Sequence, residues 1–206
     1  PEGITLITVA AGVAAAAIWV NLATVWGLPV SGSHSLISGL IGAAVATAGW
    51  HTLLIPGITK VLLGLALAPL VGFVGGYILM VLLYWILRRT SLGFVNSAFG
   101  KLQIVSAAFM GFSHGSNDAQ KTMGVISLAL FVHYQWATFH IPFWVVLLSG
   151  VTMAAGTYAG GWKVVRTLGV RIVSMRPVNG FAAETAAASV IQAASHLGLP
   201  LSTTHV

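Results

Sequence analysis

Residues Gly111–Gly124 read GFSHGSNDAQKTMG and lie between two apolar runs, Leu102–Phe112 and Met123–Val132. Neither run alone reaches the roughly 20 mostly apolar residues that a bilayer crossing needs. Joined, they make one span interrupted at its centre by Ser113, His114, Ser116, Asn117, Asp118, Gln120, Lys121 and Thr122. Irregular backbone at membrane depth is tolerated only where protein or water satisfies it, and ionisable groups there mark function. The stretch is therefore expected to be a broken helix with a binding site at the break.

Composition supports a membrane setting. The 206 residues are 57% hydrophobic and only 6% charged, with a mean hydropathy of +0.95, whereas soluble domains carry about 25% charged residues. The net charge of +6 sets nine Lys and Arg against Glu2, Asp118 and Glu184. In a soluble protein that excess would suggest a nucleic-acid partner. Here the basic residues sit at the ends of apolar runs, where they anchor topology, and no nucleic acid is expected. The absence of cysteine excludes a disulfide framework and a thiolate metal site. Pro1-Glu2 is not a charged leader segment. With no initiating Met and a last residue inside a polar motif, the chain reads as a piece of a longer protein.

Outward from the central stretch, Ile4–Trp26 is uncharged and long enough to span. Gly27–His34 (GLPVSGSH) breaks it, and Leu36–Gly49 resumes as a short helix rich in small residues, which favours close helix contact. Trp50–Pro56 reads as a loop. Ile58–Leu87 is a long apolar run containing Pro69 and Gly75-Gly76, expected to be tilted or kinked, and Arg88-Arg89 stop it. Ser91–Gly100 and His133–Ile141 read as loops on either side of the broken span. Pro142–Trp162 spans again, Lys163–Arg176 is a basic loop, and Val178–Leu197 is a last span carrying Glu184.

The string after that span exposes an internal repeat. Gly27-Leu28-Pro29-Val30-Ser31-Gly32-Ser33-His34 recurs as Gly198-Leu199-Pro200-Leu201-Ser202-Thr203-Thr204-His205, each copy following an apolar helix. Paired Gly/Pro-interrupted segments point to the binding site of a transporter. The expectation is an all-α, polytopic membrane protein with broken helices and two related repeats, one within residues 1–100 and one within 101–206. An even number of crossings separates the two basic loops, which places both in the cytoplasm. If Gly27–Gly49 crosses fully the repeats are inverted; if it is re-entrant they are parallel.

The polar residues have two readings each. Asn117 and Asp118 are good caps for a half-helix starting near Ala119, or ligands. Lys121, three residues after Asp118, pairs with it or meets an anion, as lysine ammonium groups do with phosphate. Ser31, Ser33, Ser116, Ser202, Thr203 and Thr204 are helix-start caps or oxyanion donors, the latter reinforced by free N–H groups and the helix dipole. His34, His114, Gln120 and His205 read as orienting or coupling groups. Glu184 is a polar packing residue or a proton or cation carrier.

SHGSNDAQK, GLPVSGSHS and GLPLSTTHV together resemble the inorganic phosphate transporter (PiT) family, particularly its bacterial low-affinity permeases, and the resemblance covers nearly the whole chain. It implies two inverted repeats, each with an NDxxN-type broken helix and a PxSxTH-type hairpin, meeting at a phosphate site. Two departures stand out. The first NDxxN segment is missing and is expected before Pro1, and Lys121 replaces the last Asn of the second, which puts a sodium ligand there in doubt. The implied function is secondary active import of inorganic phosphate by proton symport across a bacterial cytoplasmic membrane. The anion would be held by Ser116–Lys121, Ser31–His34 and Ser202–His205 as one repeat rocks against the other. Expected partners are phosphate, a proton or a sodium ion, the lipid bilayer and at most a second copy in a homodimer. No resident metal or cofactor is implied; a divalent metal would travel as cargo in a metal–phosphate complex.

Two rivals are weighed. A permease for sulfate or another tetrahedral oxyanion fits the same donors, but phosphate can give a proton to Asp118 and sulfate cannot at neutral pH. An intramembrane hydrolase lacks any serine with a base assigned by spacing and any HExxH; no enzyme activity is expected.

Overall fold

The computed structural model describes residues 4–167, 176–198 and 202–206. Among these the chain is helical throughout: α1 (Leu6–Trp26), α2 (Gly32–Ala48), α3 (Ile55–Leu87), α4 (Leu92–Tyr134), α5 (Phe143–Ala159), α6 (Trp162–Arg166) and α7 (Pro177–His196), with a single 3₁₀ turn at Trp50–Thr52. No strand occurs among the described residues. The all-α expectation holds.

The distribution of side chains is that of a membrane protein. The buried apolar residues are mostly alanine and valine, while Trp19, Trp26, Phe73, Tyr84, Trp85 and Phe143 are among many large apolar side chains left exposed. In water such a surface would be an aggregation liability; in lipid, association relies on small residues packing closely. Helices α1 and α3 are long and apolar enough to cross a membrane, and α3 keeps only Gly64, Ala68 and Gly72 buried over its 33 residues.

One expectation is overturned. Residues Gly111–Gly124 do not break the span: α4 runs without interruption through 43 residues. The reason is legible in its burial. Val95, Phe99, Ser106, Ser113 and Asn117 are buried, with Gln103 and Met110 half-buried between them, and these positions recur at the three- and four-residue steps of one helix face. Each backbone N–H inside a helix is already bonded four residues back, so polar side chains need no break when the face they occupy has polar partners. Asn117 and Asp118 consequently cap nothing. Helix α4 also absorbs the expected loop at Ser91–Gly100, since the Ser91 hydroxyl accepts from the Phe94 N–H at 3.4 Å and starts the helix. Helix α3 likewise begins at Ile55, earlier than expected, and carries Pro69 within it.

The chain forms two compact units. One compact unit comprises Pro1–Lys60 and Asp118–Gly169; the other comprises Val61–Asn117 and Val170–Val206.

In the first unit α1 and α2 pack as an antiparallel pair. Thr8 donates to Thr47 at 3.2 Å, and farther along Gly12 meets Gly39 and Leu40. A Cβ on Gly12 would lie 2.8 Å from the Leu40 Cα, and one on Gly39 would run into the Gly12 carbonyl oxygen. The turn between the helices uses Gly27, whose φ of 74° ends α1 in the left-handed region, where glycine carries no steric penalty. Ser31 then caps α2 by accepting from the His34 N–H at 3.1 Å. Because backbone rather than a flexible side chain blocks the space, Gly39→Val is expected to stop stable accumulation in the membrane, an effect read by immunoblot. Gly42→Val, with nothing within 4 Å, should accumulate normally.

In the second unit α7 lies between α3 and the first part of α4. Phe99 meets Phe181 edge-on at 5.3 Å, Ser106 meets Glu184 and Ser113 meets Gln192, so α4 and α7 run in the same direction. Against α3 the order reverses: Ala68 packs with Ala194 and Gly75 with Ala186.

Candidate functional site

The first unit holds a three-member polar cluster. Lys121 donates to the Ser33 hydroxyl at 2.6 Å and to Asp118 Oδ1 at 3.1 Å, and Ser33 also donates to Asp118 Oδ1 at 3.4 Å. The Lys121 and Asp118 side chains retain 18% and 23% exposure, so the ion pair is sheltered without being sealed. Ser33 sits one residue into α2, in the first turn, whose N–H groups have no intrahelical partners and lie at the positive end of the dipole. Two cavities open on this cluster. One of about 290 Å3 is lined by Gly32, Ser33, Asp118, Lys121 and Thr122 among apolar neighbours. The other, about 270 Å3, shares Ser33 and Lys121 but is otherwise apolar. Each has several times the room that one water needs.

Ser31 is a cap, and Ser35 returns its hydroxyl to the Ser31 carbonyl at 2.8 Å. Ser33 is no cap; it is the hydroxyl that meets the charges. His34 is half-buried at the same helix start, and Gln120 is exposed.

The second unit holds the other hydroxyls. Thr203 and the His114 Nε2 are 3.1 Å apart, and the His205 Nδ1 lies 2.9 Å from the Ser202 hydroxyl. Ser202 and Thr203 are 1% and 7% exposed, whereas Thr204 faces outward. Leu199–Leu201, the middle of the second repeat copy, lies outside the described residues. Both histidines of the repeat interact with the serine three residues before them, in the first copy through the His34 N–H and in the second through the His205 ring. Ser106 donates to Glu184 Oε2 at 2.5 Å, which holds this side chain against α4. Asn117 is buried, and its side-chain N–H2 has no hydrogen-bond partner among the described residues. Leaving such a donor unpaired costs about 1–3 kcal/mol, which an acceptor arriving there would recover. Ser116 is half-buried on the same helix.

One feature escaped the sequence reading. Gly111-Phe112-Ser113-His114-Gly115 has the Gly-x-Ser-x-Gly spacing of a hydrolase nucleophile elbow. That motif needs a sharp strand-to-helix turn that exposes the serine. Ser113 instead lies inside continuous α4, 1% exposed, accepting from the Gln192 amide at 3.3 Å. The backbone context rules out the elbow.

The profile described as the phosphate transporter family matches residues 1–206. The chain is 40% identical over 206 residues to a protein of Rhizobium meliloti (strain 1021) named "Probable low-affinity inorganic phosphate transporter", covering 100% of this chain and 62% of that one. A Bacillus subtilis (strain 168) protein of the same name is 39% identical over 201 residues, covering 97% of this chain and 60% of the relative. The chain thus spans about 60% of the length of these two relatives. A solved structure of a sodium-dependent phosphate transporter superposes with a TM-score of 0.86 over 100% of the chain and 70% of its own, at 23% identity, a likeness of fold.

Proposed function

The chain belongs to the phosphate transporter family, and from that premise we propose that it imports inorganic phosphate across a bacterial cytoplasmic membrane, as a proton symporter. The observation that carries this reading is the Lys121 ammonium held at 2.6 Å from Ser33 at the start of α2. A positive charge, a hydroxyl and a helix N-terminus are the groups that recognise a tetrahedral oxyanion. Asp118 beside them is a proton acceptor, which a monohydrogen or dihydrogen phosphate can use and a sulfate cannot. Within the second unit, by itself, Ser202 and Thr203 lie beside His205 and His114, and the Asn117 amide is buried. Each is a neutral donor suited to anion oxygens. Glu184, held by Ser106, is the second protonatable carboxylate and the candidate coupling group. Divalent metal, if carried, is cargo complexed with phosphate. The relatives are named as transporters, and no chemical conversion of phosphate is proposed.

Uptake of radiolabelled phosphate by cells expressing the protein tests the substrate. Saturable uptake, competed by unlabelled phosphate and indifferent to excess sulfate, is expected; equal competition by sulfate would replace phosphate with a general oxyanion reading. Ser202→Ala and Thr203→Ala should each weaken phosphate binding. A hydrogen bond to a charged group contributes about 1.5–3 kcal/mol, so affinity should fall roughly ten- to a hundredfold. Unchanged dissociation constants in both variants would remove these hydroxyls from the ligand set.

A further inference from the structure

We infer that Gly72 is a positioning residue that seats the hydroxyl-bearing segment Ser202–Val206, an inference that rests on reading Ser202 and Thr203 as phosphate ligands. Gly64, Ala68 and Gly72 are the buried residues of α3, one turn apart on a single face. Ala68 and Ala194 form an apolar cluster there with Val190 and Val206. At Gly72 the approach is closer still. A Cβ would stand 2.6 Å from the Val206 carbonyl oxygen, 3.2 Å from its Cγ1 and 3.4 Å from its carbonyl carbon. Main chain and side chain of Val206 thus both close the space that a side chain at Gly72 would need.

Two neighbouring glycines show that this demand is local. A Cβ on Gly75 would make ordinary contact with Ala186 at 3.8 Å, and one on Gly76 would meet nothing within 4 Å. Gly72 and Gly76 both border a cavity of about 530 Å3 that they share with Phe73, Tyr77, His205 and Val206, so what sets Gly72 apart is its contact with Val206. Gly72 is required for space: its φ is not among the positive values of the chain.

The displacement that a methyl at Gly72 would force has a short path to the hydroxyls. The His205 N–H donates to the Ser202 carbonyl at 3.2 Å, the His205 ring holds the Ser202 hydroxyl, and Thr203 meets His114. Val206 ends this single turn. Ser202 and Thr203 are 1% and 7% exposed, so a shift of Val206 moves hydroxyls that have no slack around them. Gly72 touches no ligand itself and acts only through the segment that it seats.

The test compares Gly72→Ala, Gly76→Ala, Val206→Ala and Ser202→Ala in cells expressing the full chain, with phosphate uptake normalised to protein in the membrane. Gly72→Ala is expected to raise KM about tenfold with little change in maximal rate, as for loss of one donor to a charged ligand. Gly76→Ala should stay within about twofold of the parent, the range of a surface substitution. Val206→Ala, which removes the apolar anchor while leaving Gly72 intact, should also raise KM severalfold, and it decides the matter if Gly72→Ala fails to accumulate. A parental KM in both Gly72→Ala and Val206→Ala, or equal rises in Gly72→Ala and Gly76→Ala, overturns the positioning role. If Ser202→Ala raises KM while those two do not, the positioning inference alone fails. If Ser202→Ala is also silent, the ligand reading falls and takes this inference with it.

Discussion

Asp118→Asn is expected to abolish phosphate uptake while the protein stays in the membrane at parental amount. The substitution keeps shape and volume and removes the charge and the capacity to take a proton. Asp118 Oδ1 receives both the Lys121 ammonium at 3.1 Å and the Ser33 hydroxyl at 3.4 Å, so a neutral amide there leaves the two donors only an uncharged, weaker acceptor. A charge-assisted hydrogen bond contributes about 1.5–3 kcal/mol, and loss of proton acceptance removes a step that no neighbour in the cluster replaces. The expected uptake is therefore below about a hundredth of the parental rate, each tenfold corresponding to about 1.4 kcal/mol. Membrane insertion should not suffer, because α4 is continuous through residue 118 and does not use Asp118 as a cap. Uptake assays paired with membrane immunoblots check this. Near-normal transport by a well-inserted Asp118→Asn protein would reduce the carboxylate to a structural partner of Lys121.

The same helix shows how far the sequence could be read. The polar content of Gly111–Gly124 marks where polar side-chain contacts gather, yet it misleads about the backbone. Counting polar residues along a window suggests interruption; following burial at helical steps from Val95 to Asn117 shows one unbroken face. Ser91 was available as a start signal, three residues before Phe94, and was hidden because Gly93 and Gly100 resemble loop punctuation. The turn at Gly27–Ser31 was legible, since Gly and Pro there have no good alternative. What no periodicity could supply was partnership. That Ser33 rather than Ser31 meets Lys121, or that Glu184 is held by Ser106, depends on contacts between distant segments. Gly72 was hidden for a related reason: its role is an absence of atoms opposite Val206, and a glycine in an apolar run reads simply as packing.

The proposal of a proton as driving ion rests on the charge on Lys121. Sodium sites in transporters use carbonyl, hydroxyl, amide and carboxylate oxygens, and Ser33 and Asp118 are oxygens of that kind. Both are taken up by the Lys121 ammonium, at 2.6 Å and 3.1 Å. A sodium ion brought to about 4 Å of that charge would be opposed by about 4 kcal/mol at an effective dielectric of 20, an opposition that the Asp118 carboxylate beside it offsets in part. The ammonium thus disfavours a second cation in this cluster and favours an anion. Protons remain available as the coupling ion through Asp118, through Glu184, or through His114 and His205. Phosphate uptake into proteoliposomes is therefore expected to follow an imposed pH gradient and to change less than about twofold when sodium replaces potassium, a difference worth under about 0.5 kcal/mol. Uptake that requires sodium and ignores the pH gradient would overturn the proton assignment, and the cation site would then have to be built from oxygens that Lys121 does not touch.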